Sequence, residues 1–327
     1  MLKQIEQRLL AGENITRDMA EGLSNLKGME VLELISISNR VTRQFRGAEM
    51  ELCSIINARS GSCSEDCSFC AQSSRFATGS DSYPMISPGK ALKHAAAMER
   101  AGAKRFSLVT SGRGISDRDF EKALVIFALL KRETGLRLCA SFGIIDDNKA
   151  LALKKAGVTM YHHNLETPRQ FFPQICSTHT YDDRIKTISS AKKAGLRVCS
   201  GGIAGLGETL RQRIDLAFEI RDLGVDSVPV NFLTPIRGTP LENKSPLPPL
   251  ELLHTLAIFR LVLPKAQIRL CGGRSNLRSL QPLAFMAGAD GVMIGNYLTT
   301  KGEDLQNDLR MLSDLGFLQS AKEGASI

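Results

Sequence analysis

The chain has 327 residues, 43% of them hydrophobic, and a formal net charge of +8. That is enough apolar content for one large core, and no stretch nears the roughly eighteen uninterrupted apolar residues of a membrane span. The basic residues are spread without a Lys/Arg-rich run, and four Tyr with no Trp leave little for base stacking, which argues against nucleic-acid binding.

The first seven residues form a mixed-charge amphipathic pattern without a secretion or transit signal, so the eight cysteines are expected to be reduced thiols of a cytoplasmic protein. Residues 1–45 read as a helical extension. From residue 52 onward, β-rich runs at 52–57, 105–110, 136–141, 159–164, 197–201, 227–232, 267–271 and 291–294 alternate with amphipathic stretches. The helices are expected at 88–101, 117–133, 147–156, 181–194, 208–223, 249–263 and 276–288. Pro88 suits a first turn, and Gly102, Gly157, Gly195 and Gly224 stand where helices should stop. Eight strands joined by helices predict an α/β fold, a (β/α)8 TIM-type barrel over 46–300, followed by a helix and tail over 301–327. No interdomain linker interrupts it.

The run from Gly61 to Cys70 places Cys63, Cys67 and Cys70 in a C-x3-C-x2-C triplet with Phe69 before the third cysteine. A structural zinc site wants four protein ligands, and a two-cluster ferredoxin wants a fourth Cys in the same run. Three thiolates instead bind three corners of a 4Fe-4S cube and leave one iron open. That corner suits chelation by S-adenosylmethionine, whose sulfonium is split by an electron passed through the cluster to give a 5'-deoxyadenosyl radical. The triplet follows the first strand, in the loop 58–84, where a barrel gathers its chemistry.

A second group of thiols, Cys139, Cys199 and Cys271, falls within predicted strands, and Arg269 shares a strand face with Cys271. One buried Cys reads as a small hydrophobe. Three in separate strands read as a site. Cys53 and Cys176 stand alone in the sequence and are expected to be structural.

These segments carry a resemblance. The triplet with its flanks, His163-Asn164-Leu165, the run from Val198 to Glu208 (Val-Cys-Ser-Gly-Gly-Ile-Ala-Gly-Leu-Gly-Glu), Val228-Pro229-Val230-Asn231, Gly238-Thr239-Pro240 and Ile268-Arg269-Leu270 resemble the biotin synthase family of radical S-adenosylmethionine enzymes over residues 28 to 300. The resemblance implies that Cys63, Cys67 and Cys70 hold the catalytic 4Fe-4S cluster. It implies that Cys139, Cys199 and Arg269 hold an auxiliary iron-sulfur cluster, 2Fe-2S or larger, which donates sulfur. The implied reaction inserts that sulfur between C6 and C9 of dethiobiotin after two hydrogen abstractions by the adenosyl radical. Asn164, Glu166, Arg184, Gly202 and Ile203 are then expected at the cofactor, and His162 and Asn231 at the substrate. The resemblance also implies a homodimer and a reduced flavodoxin or ferredoxin as electron donor, which the basic surface could steer.

Two departures stand out. The family's usual fourth auxiliary ligand is a Cys where this chain has Ser107, and a serine oxygen is a harder, poorer ligand for iron. Cys271, where Ser is common, is the candidate replacement. The family commonly has Asn and Asp where this chain has His162 and Glu166. The alternative readings are another barrel-type radical enzyme, such as a methylornithine-synthase-like mutase or a hydrogenase-cofactor maturase, and a non-enzymatic iron-sulfur electron carrier. The first does not account for Cys139 and Cys199 together with Arg269, and the second has no use for an open cluster corner or an eight-stranded barrel.

Overall fold

In a computed structural model, which describes residues 1–318, local chemistry sets the element boundaries where capping residues stand. Three helices, α1 (Leu2–Leu10), α2 (Arg17–Leu23) and α3 (Met29–Arg46), precede β1 (Glu51–Arg59). The alternating part then runs α4 (Pro88–Arg100), β2 (Arg105–Thr110), α5 (Asp117–Glu133), β3 (Arg137–Ser141), α6 (Asp147–Lys155), β4 (Met160–His162), α7 (Tyr181–Lys193) and β5 (Arg197–Cys199). It continues through β6 (Gly202–Ala204), α8 (Leu210–Asp222), β7 (Ser227–Phe232), α9 (Pro249–Val262), β8 (Gln267–Leu270), α10 (Leu283–Met286), β9 (Gly291–Met293) and α11 (Leu305–Asp314). The Ser87 side chain accepts from the Lys90 N–H with Pro88 in the first turn, and Thr180 and Thr209 form reciprocal capping boxes with Asp183 and Gln212. Gly102, Gly157, Gly195 and Gly224 follow their helices with positive φ, as the helix-stop reading expects.

The strands pair in parallel; β1 pairs with both β2 and β9, and β5 pairs with both β4 and β7, so the sheet closes. β6 also pairs with β7, so β5 and β6 are halves of one bent barrel strand. The bend is at Ser200–Gly201. A Cβ on Gly201 would meet the Pro229 carbonyl oxygen at 2.0 Å, so only glycine lets the strand approach its neighbour there. Counted this way the barrel has eight strands, and the TIM-type reading stands.

One expected helix is different. The segment 276–288 forms a 3-10 stretch, Arg274–Leu280, and the short α10, because Arg278 adopts φ +53° and Pro282 starts a new helix. Beyond β9, α11 is tied back by a buried ion pair in which Arg274 Nη1 and Nη2 donate to Asp308 Oδ1 and Oδ2 at 2.7 and 2.5 Å. The tail expected after this helix lies partly outside the described residues.

The helix α9 is buried from Leu252 to Val262, since α2, α3 and α8 cover the face turned away from the barrel. Its Arg260 is fully buried and matched: the guanidinium donates to the carbonyls of Gly288, Leu263, Pro264 and Ala266 and to Asp290 Oδ1 at 2.6 Å. The N-terminal helices are thus part of the barrel's outer wall.

Candidate active site

The loop after β1 is built around Gln72. Its side-chain oxygen accepts from Asn57 Nδ2, the Ser60 hydroxyl and the Gly61 N–H at 3.2, 3.1 and 3.3 Å. The Cys63 N–H donates to the Gln72 carbonyl, and the Ser74 N–H donates to the Cys63 carbonyl. Gly61 and Ser62 turn the chain with φ +72° and +50°, and a Cβ on Gly61 would sit 2.7 Å from Ser82. The loop therefore presents Cys63, Cys67 and Cys70 to one cavity of about 410 Å³ at the mouth of the barrel. All three are free thiols. Three thiols from one stapled loop fit a 4Fe-4S cluster with one open iron.

The same cavity is lined by His162, Asn164, Glu166, Arg184, Ile203, Asn231 and Cys271. Asn164 and Glu166 lie beyond the end of β4 and are joined by a 3.3 Å hydrogen bond. Arg184 is buried; its Nη1 donates to the Asn164 carbonyl at 2.7 Å and lies 3.6 Å from Glu166. Its Nε has no partner among the described residues, so a buried guanidinium donor remains for an anionic group such as a carboxylate. Burial raises the Glu166 carboxyl above its ordinary value, and the Arg184 charge only partly opposes this. Glu166 also holds φ +69°, a left-handed conformation uncommon for a residue other than glycine.

His162 is held neutral. Burial first, then the charges of Arg269 and Arg105, push its imidazole down to about 3, and its Nε2 has no partner among the described residues. Asn231 is committed to the backbone: Oδ1 accepts from the Gly272 N–H at 2.9 Å and Nδ2 donates to the Gly202 carbonyl at 3.2 Å. Gly202 itself serves close packing, since a Cβ there would meet the Glu166 carbonyl at 2.5 Å, while its neighbour Ile203 faces the cavity.

Deeper in the barrel, Cys53, Cys139 and Cys199 stand on the first, third and fifth barrel strands, and Arg269 on the seventh. Alternate strands contribute the side chains of one interior layer in this fold, so these four residues belong together. Cys271 follows two residues after Arg269. The Arg269 charge acts on all four thiols. Burial pushes the thiols of Cys53 and Cys199 up to about 11, raises Cys139, and raises Cys271 well above its ordinary value. Cys53 is therefore not isolated in space: its neighbours are the barrel thiols and Arg269.

Two cations face this group. Arg269 Nη2 donates to Glu51 Oε1 at 2.9 Å and to Gln267 Oε1 at 2.5 Å, and Arg105 Nε donates to Glu51 Oε1 at 2.7 Å. Burial would raise the Glu51 carboxyl, yet Arg269, Arg105 and Arg137 together hold it below its ordinary value. Both Arg269 Nε and Arg105 Nη1 are buried without partners among the described residues. Buried guanidinium donors left open beside four thiols fit an anionic iron-sulfur cluster and its sulfides. Ser107, paired in register with Cys139, is also buried with an unpartnered hydroxyl. It stands beside Cys139 and would bring a poorer donor than a thiolate.

Cys176 was expected to be structural, and it too has chemical neighbours. Its Sγ lies 3.8 Å from Cys67 Sγ and 3.2 Å from His179 Nδ1, and His179 Nδ1 is 2.5 Å from Glu65 Oε2. Residues 176 and 67 are 109 positions apart. No spacing motif announces such a contact. For Cys53, the alternate-strand rule applied to the predicted strands is the signal that could have found it.

Two family models divide the chain: the radical SAM superfamily matches residues 59–220, and the biotin and thiamin synthesis associated domain matches residues 229–318. A biotin synthase of Pelotomaculum thermopropionicum is 54% identical over 96% of this chain and 98% of its own length. One from Heliobacterium modesticaldum is 51% identical, with 97% of both chains covered. This chain belongs to the biotin synthase family.

The barrel itself is shared more widely. A methylornithine synthase structure superposes with a TM-score of 0.84 at 20% identity, covering 97% of both chains. An FeFe-hydrogenase maturase from Carboxydothermus hydrogenoformans gives 0.81 at 18%, with 97% of this chain and 78% of the other covered. Those likenesses concern the fold alone. As a member of the biotin synthase family, the chain is a sulfur-inserting radical SAM enzyme, with the 4Fe-4S cluster and S-adenosylmethionine that this chemistry requires. An auxiliary iron-sulfur cluster is the usual family feature. No helix among the described residues is long and apolar enough to cross a membrane.

Proposed function

We propose that the enzyme closes the sulfur-containing ring of biotin on dethiobiotin, with Cys63, Cys67 and Cys70 holding the 4Fe-4S cluster. In the same reading Cys53, Cys139, Cys199 and Cys271 surround the auxiliary cluster, and Arg269 and Arg105 donate hydrogen bonds to it. When bound, the two clusters supply the electron that cleaves S-adenosylmethionine and the sulfur that enters the product. The observation that carries this assignment is the buried layer of Cys53, Cys139, Cys199 and Arg269 beneath the triplet's cavity, with two guanidinium donors unpartnered.

The chain's own groups divide the remaining work. Arg184, with its open Nε, pairs the methionine carboxylate, while Asn164 and Glu166 bond the ribose hydroxyls. Ile203 offers an apolar surface to the adenine. His162, neutral and with Nε2 free, accepts from or donates to the ureido group of dethiobiotin according to its tautomer. Asn231 positions the strand mouth through its two backbone bonds, and so sets the cavity's shape. Placement of the radical chemistry inside the barrel keeps water away from it. Reduced flavodoxin or ferredoxin is the fitting electron donor, and a cytoplasmic homodimer the fitting form of the enzyme.

The test is strictly anaerobic reconstitution with iron and sulfide, followed by quantification of 5'-deoxyadenosine and biotin with and without dethiobiotin. Biotin formation with dethiobiotin-dependent cleavage is expected. Cleavage that ignores dethiobiotin and yields no biotin would overturn the proposal.

A further inference from the structure

We propose that the cluster loop contains a second, mononuclear metal site, formed by Cys67, Cys176 and His179, which takes a divalent transition cation when the 4Fe-4S cluster is absent. The three ligand atoms lie within 4.8 Å of one another. Metal–sulfur bonds of about 2.3 Å and metal–nitrogen bonds of about 2.0–2.1 Å at a tetrahedral centre demand ligand separations of about 3.6–3.8 Å. The observed separations are 3.8 Å between the two sulfurs and 3.9 Å from Cys176 Sγ to His179 Nε2. These two separations are close to tetrahedral spacing.

The tautomer of His179 is arranged for the same purpose. Glu65 Oε2 sits 2.5 Å from Nδ1, so Nδ1 carries the proton and Nε2 keeps its lone pair; Cys176 Sγ lies nearer Nδ1, at 3.2 Å, than Nε2, at 3.9 Å, so the ring turns toward the sulfur when a metal binds. A carboxylate behind a histidine is the usual support of a metal-bound imidazole. Glu65 is itself fixed, since Oε2 accepts from the Thr178 hydroxyl at 2.7 Å and Oε1 accepts from the Ser64 hydroxyl at 3.0 Å. Neighbouring Asp66 braces the ligand-bearing turn by accepting from the N–H groups of Ser177 and Thr178 at 2.9 and 3.2 Å. Phe172 lies edge-on against the His179 ring, with 5.6 Å between centroids, and holds its plane. Both His179 and Cys176 are buried.

Metal binding here displaces the two thiol protons into solvent and needs no redox partner. Two thiolates and an imidazole select a borderline-soft ion, and the stability order of divalent ions ranks zinc above ferrous iron at such donors. The inference rests on the reading of Cys67 as a cluster ligand in one respect: Cys67 is shared, so the single ion and the cluster exclude each other. A zinc ion at this place blocks cluster assembly. A ferrous ion, held more weakly, leaves when the cluster forms.

The experiment uses the full chain, stripped of iron anaerobically and titrated with Co2+, whose tetrahedral thiolate absorption reports the ligands. Parent, Cys176→Ala, Cys176→Ser, His179→Ala and the Cys63→Ala/Cys70→Ala double variant are compared, with circular dichroism to confirm folding. Barrel thiols contribute equally to all five and cancel in difference spectra. The Cys176 and His179 variants are expected to lose the absorption of one Co2+ per chain, and the double variant to keep it. Equal absorption in parent and both Cys176 variants, or loss confined to the double variant, overturns the site.

A second arm preloads one equivalent of Zn2+ and follows iron uptake at the loop. Uptake is expected to slow at least tenfold in the parent and to be unaffected in Cys176→Ala. Equal inhibition in both overturns the exclusion. The Co2+ arm stands whether or not Cys67 binds a cluster, so failure of the metal site and failure of the cluster assignment give different results.

Discussion

Replacing Glu208 by alanine removes the anchor of the glycine-rich turn between β6 and α8. Its carboxylate is buried and accepts from the Gly205 N–H at 2.8 Å, the Gly207 N–H at 3.0 Å and Arg213 Nε at 2.6 Å. Hydrogen bonds to a charged group contribute about 1.5–3 kcal/mol each, but three on one carboxylate are not additive. Arg213 also keeps Glu251 at 2.8 Å and Thr255 at 3.0 Å, so its charge is not left alone. The expected loss is that of breaking one buried pair, about 3–5 kcal/mol. An unfolding entropy of about 2.1 cal/mol/K per residue makes each kcal/mol worth about 1.5 °C in a chain of 327 residues. Differential scanning fluorimetry of the cluster-free protein should therefore show the midpoint falling by about 4–8 °C. Glu208→Gln, which keeps one acceptor oxygen, should fall by less. Because Ile203 faces the cavity from the start of this turn, binding of S-adenosylmethionine to the reconstituted protein should weaken in parallel. A Glu208→Ala midpoint within 1 °C of the parent, about the effect of one weak contact, would refute the claim that this carboxylate holds the turn.

Cys53→Ala should reduce the iron of the auxiliary cluster while the triplet's cluster is retained, as Mössbauer spectra with an iron count would report; unchanged auxiliary iron would return Cys53 to a structural role. Asp308→Ala breaks the buried pair with Arg274 and should release α11, seen as faster cleavage near the C-terminus in limited proteolysis. Burial holds His254 below its ordinary value of 6.5, so the unfolded chain binds the proton more readily. The resulting stability is present in full above pH 6.5 and declines as pH falls toward the depressed folded value. His254→Gln should therefore lose less stability than the parent between pH 7.5 and 5.5 in urea titrations, provided the glutamine keeps the 2.9 Å bond to the Leu23 carbonyl.

Much of this enzyme is legible along the chain because its signals are local. The triplet is contiguous, helix starts carry their own caps, and Gly102, Gly157, Gly195 and Gly224 mark helix ends where the structure has them. The bend in the fifth barrel strand is less visible, because the need for Gly201 comes from the Pro229 carbonyl of a different strand. The broken helix near 276–288 follows from the left-handed turn at Arg278, a conformation that no residue-type preference announces at an arginine.

The site residues divide along the same line. Cys199 and Arg269 stood in segments that resemble the family, and the resemblance implies Cys139 with them, whereas Cys53 has an ordinary strand around it and gains meaning only from the closed barrel. The contact of Cys176 with Cys67 likewise depends on how the segment after β4 folds back on the cluster loop. Ser107 is the informative exception: its departure from the family's thiol is plain in the sequence, and we propose that Cys53 and Cys271, both near Arg269, compensate for it.

The central claim is that the barrel thiols hold the sulfur which enters the product. The direct measurement is a single-turnover reaction of protein reconstituted with isotopically heavy sulfide, given S-adenosylmethionine, a reductant and dethiobiotin, with the biotin analysed by mass spectrometry. Heavy biotin in the parent, and none in Cys139→Ala or Cys199→Ala, is the predicted result. Biotin of ordinary mass, or heavy biotin undiminished in those variants, would contradict it.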